Sequence, residues 1–253
     1  MAGLKGRTVV VTGASGSLGS AIARRFLAEG VRAVGLVDLD ASTVAVLAEE
    51  LIAESGGAVQ VEAVALDVTD HDAVMAAYAD LAARFGRLDV AINNAGIAAP
   101  SARLHHVKPE DFRRVLDVNL LGVFHCMKAA ITHMRGAGGG AIVNTASVAA
   151  STNWTHASPY GASKAAVVHL TRSAAAEYAA DNVRINCVSP GTFITRFHDG
   201  LSPGVLADIR GRHPLGRFGT PDEIAGAYVY LAGSDGGWVT GTSLVIDGGL
   251  SVG

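Results

Sequence analysis

The stretch Thr8-Val9-Val10-Val11-Thr12-Gly13-Ala14-Ser15-Gly16-Ser17-Leu18-Gly19 decides how this chain folds. Three valines between two threonines favour a strand, because β-branched side chains are stiff and pack well on a pleated surface. The glycines that follow force a tight turn, and a helical pattern begins at about Leu18. A strand that runs through a glycine turn into a helix brings backbone N–H groups to a helix N-terminus, where a phosphate is stabilised. Such a turn is weak by itself. It gains weight from following the first strand, with an acid, Asp38 in Gly35-Leu36-Val37-Asp38, ending the second.

Outward from that stretch, short apolar runs alternate with longer helical patterns along all 253 residues. The runs are Arg7–Val11, Ala33–Asp38, Val59–Leu66, Leu88–Asn93, Ala141–Ala146, Arg184–Ser189 and Ser243–Asp247. They are continuously apolar rather than alternating, as strands covered on both faces require. Helical patterns fall near 18–29, 41–55, 70–85, 109–135, 158–180 and 221–233. The last opens on Thr220-Pro221-Asp222-Glu223, an N-cap followed by a first-turn proline and two acids at the positive dipole end. This alternation predicts an α/β fold: a Rossmann-type doubly wound parallel sheet of about seven strands, with helices on both faces. No composition break divides the chain, so residues 1–253 are expected to form one domain. Within it, 193–214 is long for a connection and carries Gly200, Pro203, Gly204 and Gly211, which suits either a lid over a ligand site or a surface loop.

Composition narrows the function classes. Lys and Arg number 20 against 23 Asp and Glu, interspersed to a net charge of −3, so the basic stripe of a nucleic-acid binder is missing. The N-terminus passes at once into the first strand, leaving no room for a signal peptide, and no membrane span is expected. Cys126 and Cys187 lie in apolar surroundings and read as two buried thiols in a reducing compartment, hence a cytoplasmic protein. The nine histidines show no metal-ligand spacing, so no metal is expected.

The chemical signal is Tyr160 and Lys164, four residues apart on a predicted helix, with Ser147 upstream. Residues at that spacing share a helix face. A free tyrosine titrates near about 10, and a neighbouring cation favours its phenolate, so the pair reads as a proton-transfer device with the Ser147 hydroxyl placed to hold a substrate oxygen. Asp38 is placed to accept from the two ribose hydroxyls of NAD and to repel the 2′-phosphate of NADP. Asp67-Val68 and Asn93-Asn94-Ala95-Gly96 end the third and fourth strands, at the edge where ligands bind in such sheets.

These landmarks, together with Asn119 and Pro190-Gly191, resemble the short-chain dehydrogenase/reductase family over essentially the whole chain. The resemblance implies an NAD-dependent alcohol dehydrogenase or ketone reductase with Tyr160 as acid/base. It implies that Lys164 lowers the tyrosine pKa and binds the nicotinamide ribose, that Ser147 steadies the substrate oxygen, and that Asn119 holds a water linking Lys164 to solvent. Cofactor contacts carried over are Gly13, Ser15, Gly16, Ser17, Leu18, Gly19, Asp38, Asp67, Val68, Asn94, Ala95, Gly96, Tyr160, Lys164, Pro190, Gly191, Ile194 and Thr195. The glycine turn departs from the family pattern: Ser17 stands where a glycine is usual, with Gly16 beside it. That residue either donates a hydroxyl to phosphate or alters the turn.

Trp154, Phe193, Phe197 and Leu201 would give the pocket an apolar lining beside Ser147, with His198 a further substrate candidate. A hydrophobic or cyclic secondary alcohol, or its ketone, fits that lining better than a sugar. NAD is mostly oxidised in cells, so oxidation is the expected direction. The family usually pairs its long Ala-rich helices between subunits, so a homotetramer is expected. Alternatives are a 3-oxoacyl-[acyl-carrier-protein] reductase, an epimerase or dehydratase, and a cofactor-binding regulator without catalysis. Asp38 argues against the first, and the intact Ser147, Tyr160 and Lys164 against the last.

Overall fold

The computed structural model describes residues 3–98, 100–193 and 202–252. Among the described residues, seven strands form one parallel sheet in the order β3-β2-β1-β4-β5-β6-β7. They are β1 (Thr8–Thr12), β2 (Ala33–Asp38), β3 (Gln60–Ala65), β4 (Val90–Asn93), β5 (Gly140–Thr145), β6 (Val183–Pro190) and β7 (Ser243–Ile246). The helices are α1 (Ser17–Ala28), α2 (Ala41–Glu54), α3 (His71–Phe85), α4 (Pro109–Leu116), α5 (Gly122–Met134), α6 (Ser158–Tyr178), α7 (Pro203–Gly211) and α8 (Pro221–Ala232).

The pleat sorts the strand residues into two layers. Val9 and Val11 turn toward α1, α2 and α8, where Ile22, Phe26, Leu51, Ile224 and Tyr228 pack. Val10, between them, turns the other way, toward α3, α5 and α6 with Tyr78, Phe85, Met127 and Val167. The central strands are buried on both faces, as their unbroken apolar runs predict. The edges are not: β3 is largely open to solvent, and β7 is only half-buried. An edge strand has one neighbour and a helix over only part of it, so Gln60 and Glu62 are tolerated in β3.

Pro109–Met134 is long and apolar enough to cross a membrane, yet half of its most apolar stretch is buried inside the fold. Its α5 part buries Val123, Cys126, Met127 and Met134 against α3 and the sheet, as a core helix does. Both cysteines are unpaired and buried, on that same side of the sheet. Burial pushes the Cys126 thiol up to about 12.

Caps fix where helices begin. Asp40 accepts from the Ser42 and Thr43 N–H groups ahead of α2, and Asp70 from Ala73 N ahead of α3. Thr220 and Glu223 form a reciprocal capping box on α8, and Arg217 grips the same Glu223 carboxylate at 2.6 and 2.9 Å. The opposite end of α8 is held by Arg184 of β6, which donates to the carbonyls of Leu231, Ala232, Gly233, Gly236 and Val239. A cation at a helix C-terminus also opposes the negative dipole end. Replacing Arg184 by Met strands several of these carbonyls, and the expected loss is about 2–3 kcal/mol of unfolding free energy, read by urea denaturation.

Candidate functional site

Crossovers leave β1 and β4 in opposite directions, so their carboxyl ends flank the crevice in which doubly wound sheets bind ligands. Thr12 ends β1, and its Oγ1 accepts from Asn94 N (3.0 Å) and Ala95 N (3.2 Å). The Asn94 amide in turn donates to Gly13 O at 3.1 Å. The two strand ends are thereby stitched together, and a groove of about 1550 Å³ opens above them. Gly13, Ser15, Asp38, Asp67, Val68 and Asn94–Ile97 are among the residues that line it.

The turn is shaped by what glycine omits. Gly13 has φ +63°, and a Cβ there would lie 2.8 Å from Ala95 Cα. A Cβ on Gly19 would collide with the Gly13 carbonyl oxygen, so α1 can pass this close to the turn only with glycine at that position. Gly16 is the N-cap of α1 and offers no capping side chain, leaving the first-turn N–H groups free for an anion. Among the described residues, Ser15 Oγ is buried with no hydrogen-bond partner. A donor of that kind on a residue that lines the groove, with the uncapped helix end beside it, fits the pyrophosphate of a dinucleotide. Ser17 is the exposed first residue of α1, so its departure from the family pattern leaves the helix start undisturbed. Asp38 accepts from Ser15 N and Leu39 N, each at 2.8 Å, which holds its carboxylate at the groove wall.

Beside this groove, β5 and α6 bring Ser147, Tyr160 and Lys164 to one place. Ser147 follows β5 in extended backbone and caps the short turn Val148–Ala150, its Oγ accepting from Ala149 N at 3.1 Å. That leaves the hydroxyl proton free for another acceptor. Tyr160 and Lys164 lie in the first two turns of α6. Lys164 Nζ donates to Thr145 O at 2.7 Å and sits 5.7 Å from the centre of the Tyr160 ring.

The electrostatics differ from the sequence expectation in one respect. Burial pushes the Tyr160 phenol above its ordinary value, and the Ser147 hydroxyl pulls the other way. Lys164, 3% exposed, bears the main cost of its position: burial brings its ammonium down to about 8. The ammonium is spent on the Thr145 carbonyl rather than on the phenol oxygen. A folded-state value of about 8 against an ordinary 10.5 means that the folded protein binds fewer protons between those limits. The penalty is therefore full below about 8 and is relieved as pH rises toward 10.5. Between pH ~7.5 and ~9.5, wild type should gain about 2 kcal/mol of stability over Lys164→Met in urea unfolding.

Asn119 lies in a π-helical turn, Asp117–Leu121, between α4 and α5. Its side chain is fully buried, accepts from Ile97 N (2.8 Å) and donates to Ile97 O (2.9 Å) and Ser163 Oγ (3.1 Å). Ser163 Oγ donates to Tyr160 O at 2.7 Å, so the loop after β4 is tied through Asn119 to the turn that carries the tyrosine. Gly96 fits between: a Cβ there would lie 3.2 Å from Asn119 Oδ1 and 3.5 Å from Lys164 Nζ. The 109–135 helix of the sequence reading is thus two α-helices joined by this wider turn. A π-turn of this kind re-aims a side chain and is often found at functional sites.

Other expected residues are dispersed. Pro190 ends β6, and Gly191 donates its N–H to Ile246 O at 2.9 Å. Phe193 bridges to Gly219 and reaches the groove. Trp154 is 38% exposed, on the loop before α6. Ile194, Thr195, Phe197, His198 and Leu201 lie outside the described residues. The remainder of the expected lid is more ordered than its glycines suggest: Ser202 caps α7 by accepting from Val205 N. Two neighbours of these residues carry no signal in the sequence. Thr145 and Tyr228 meet at 2.7 Å between their hydroxyls, beneath Asn94 and Lys164. Neither stands in a motif, and a tyrosine in an apolar helix reads as core.

A family model described as enoyl-(acyl carrier protein) reductase matches residues 13–251. The chain is 43% identical over 245 residues to cis-4-hydroxycyclohexanecarboxylate dehydrogenase of Sinomonas cyclohexanicum, covering 97% of this chain and 96% of the relative. The chain belongs to the short-chain dehydrogenase/reductase family. A second member, 3beta-hydroxysteroid dehydrogenase 1 of Eggerthella lenta, is 40% identical over 257 residues, covering 98% of this chain and 95% of that one. Among solved members, an NAD+-bound xylitol dehydrogenase superposes with a TM-score of 0.92 at 33% identity, covering 97% and 99% of the two chains. As a short-chain dehydrogenase/reductase, the protein is an oxidoreductase.

Proposed function

We propose that this protein interconverts a hydrophobic or cyclic secondary alcohol and its ketone, with NAD(H) as cofactor. The observation that carries the reading is the meeting of Ser147, Tyr160 and Lys164 at the sheet edge beside a groove shaped for a dinucleotide. Gly13 to Gly19 would hold the pyrophosphate, Asp38 the adenosine ribose, Asp67 and Val68 the adenine side, and Gly96 and Lys164 the nicotinamide end. When bound, NAD+ supplies the acceptor for the hydride that leaves the carbinol carbon.

Tyr160 takes the proton from the alcohol oxygen in oxidation and returns it in reduction. Ser147 donates its free hydroxyl proton to that same oxygen, which stabilises the negative charge gathering there. Lys164 keeps a positive charge within reach of the phenol, and its hold on Thr145 O fixes where that charge lies. Asn119 and Ser163 set the backbone of the Tyr160 turn, so the phenol meets the substrate oxygen in a fixed geometry. The ring-alcohol class is supported by relatives that act on a cyclohexane carboxylate and a steroid. Two unpaired cysteines agree with a reducing cytoplasm. Apolar groups left open on β7 and α8, Val245 and Tyr230, with Phe124 on α5, suit a homotetramer.

The test is absorbance at the reduced-nicotinamide band with ring alcohols, acyclic polyols and 3-oxoacyl thioesters, each run with NAD(H) and NADP(H). Turnover of ring alcohols with NAD+ is the expected result. Preference for a 3-oxoacyl thioester with NADPH would overturn both the substrate class and the role given to Asp38.

A further inference from the structure

Tyr228 of α8 is fully buried, and its hydroxyl lies 2.7 Å from Thr145 Oγ1. Thr145 Oγ1 donates to Asn94 Oδ1 at 3.2 Å, and Asn94 Nδ2 donates to Gly13 O at 3.1 Å. A threonine hydroxyl has one proton to give. Since that proton goes to Asn94, the phenol of Tyr228 must be the donor to Thr145. The chain of donors then runs one way, from α8 through β5 and the end of β4 to the glycine turn. At its middle stands Thr145, whose carbonyl accepts from Lys164 Nζ.

We propose that Tyr228 is a positioning residue for the cofactor, acting through Thr145 and Asn94 on the Gly13 carbonyl. The proposal rests on the dinucleotide reading of the groove given above. The packing of α8 does not need the hydroxyl: Ile224, Val229 and Leu231 bury apolar surface, and Arg184 holds the C-terminal end. A buried phenol oxygen is costly unless bonded, and among the described residues its one hydrogen-bond partner is Thr145. Donation from Tyr228 fixes the Thr145 rotor, which fixes which end of the Asn94 amide faces Gly13. The Gly13 carbonyl also accepts from Gly16 N at 3.3 Å, so its direction sets the curvature of the turn. Without the phenol proton, Thr145 can donate elsewhere, Asn94 can reverse, and Gly13 loses a donor.

The experiment titrates NADH fluorescence on purified wild type, Tyr228→Phe, Thr145→Val, the double variant and Thr145→Ser, with a melting curve for each. Tyr228→Phe and Thr145→Val should each weaken NADH binding by about three- to tenfold, the scale of one hydrogen bond. The double variant should be no weaker than Thr145→Val, because both substitutions cut the same chain. Thr145→Ser, which keeps the hydroxyl, should restore affinity. Melting temperatures near wild type show that the fold has survived. Unchanged NADH affinity in Tyr228→Phe overturns the proposal, as does a double variant in which the two losses add. A lower melting temperature with unchanged affinity assigns Tyr228 to stability alone. Wild type that fails to bind NADH refutes the dinucleotide reading instead, a distinct result.

Discussion

Tyr160→Phe should lower kcat by about 10³-fold while NADH still binds within about threefold of wild type. The substitution keeps the ring, which sits in the first turn of α6, and deletes only the oxygen proposed to exchange the proton. Lys164 keeps its bond to Thr145 O, and Asn119 keeps Ser163, so the frame around the missing oxygen stays in place. In the proposed mechanism Ser147 would still donate to the substrate oxygen but has no capacity to remove its proton at neutral pH. Single-turnover kinetics with a slowly turned-over ring alcohol separates the two effects. A loss confined to NADH affinity would mean that Tyr160 holds the cofactor and that another group moves the proton. The wild-type pH profile adds a sign. Burial holds the phenol above its ordinary value, so oxidation, which consumes the phenolate, should accelerate through the alkaline range. Reduction, which consumes the phenol, should not.

Gly19→Ala is expected to weaken NADH binding by about a hundredfold or more and to lower the melting temperature. Its Cβ would enter the Gly13 carbonyl oxygen and stand 2.9 Å from Ala14 Cα, and both obstacles are backbone. The turn must therefore move away from α1, at a cost of about 1–3 kcal/mol in overpacking. It would also lose the alignment of N–H groups proposed to receive the pyrophosphate. Gly16→Ala is the control: its Cβ would meet Gly13 O at 3.4 Å, an ordinary contact, so that variant should bind NADH nearly as wild type does. Equal losses in the two variants would show that the first-turn N–H groups, and not the close passage of α1, govern affinity.

Most of the scaffold is legible in the sequence because it rests on local rules. The seven apolar runs fall within a residue or two of the strands, and Asp38, Asn93 and Ser147 stand at or just past strand ends, where ligand-facing positions occur in such sheets. The four-residue spacing of Tyr160 and Lys164 needed only a helix to put them on one face. What the sequence hides depends on long-range geometry. The π-turn at Asp117–Leu121 has no composition signature and arises where Asn119 reaches back to Ile97. The Thr145–Tyr228 contact joins residues 83 apart. The upward displacement of the Tyr160 phenol is likewise hidden: a cation four residues away suggests the opposite shift, but burial is the largest influence and the Ser147 hydroxyl the one that opposes it. The openness of β3 follows from its place at the sheet edge, which strand order alone decides.

The two unpaired thiols give this protein a built-in stopwatch. Cys126 on α5 and Cys187 on β6 are buried in the layer formed with α3 and α6, and neither has a reactive thiolate at neutral pH. A thiol reagent can mark them only when that layer parts from the sheet, so the rate of labelling counts openings one by one. The layer of α1, α2 and α8 on the other side carries no such marker. A ligand that clasps both layers slows the count, and one that tightens only the unmarked side leaves it running.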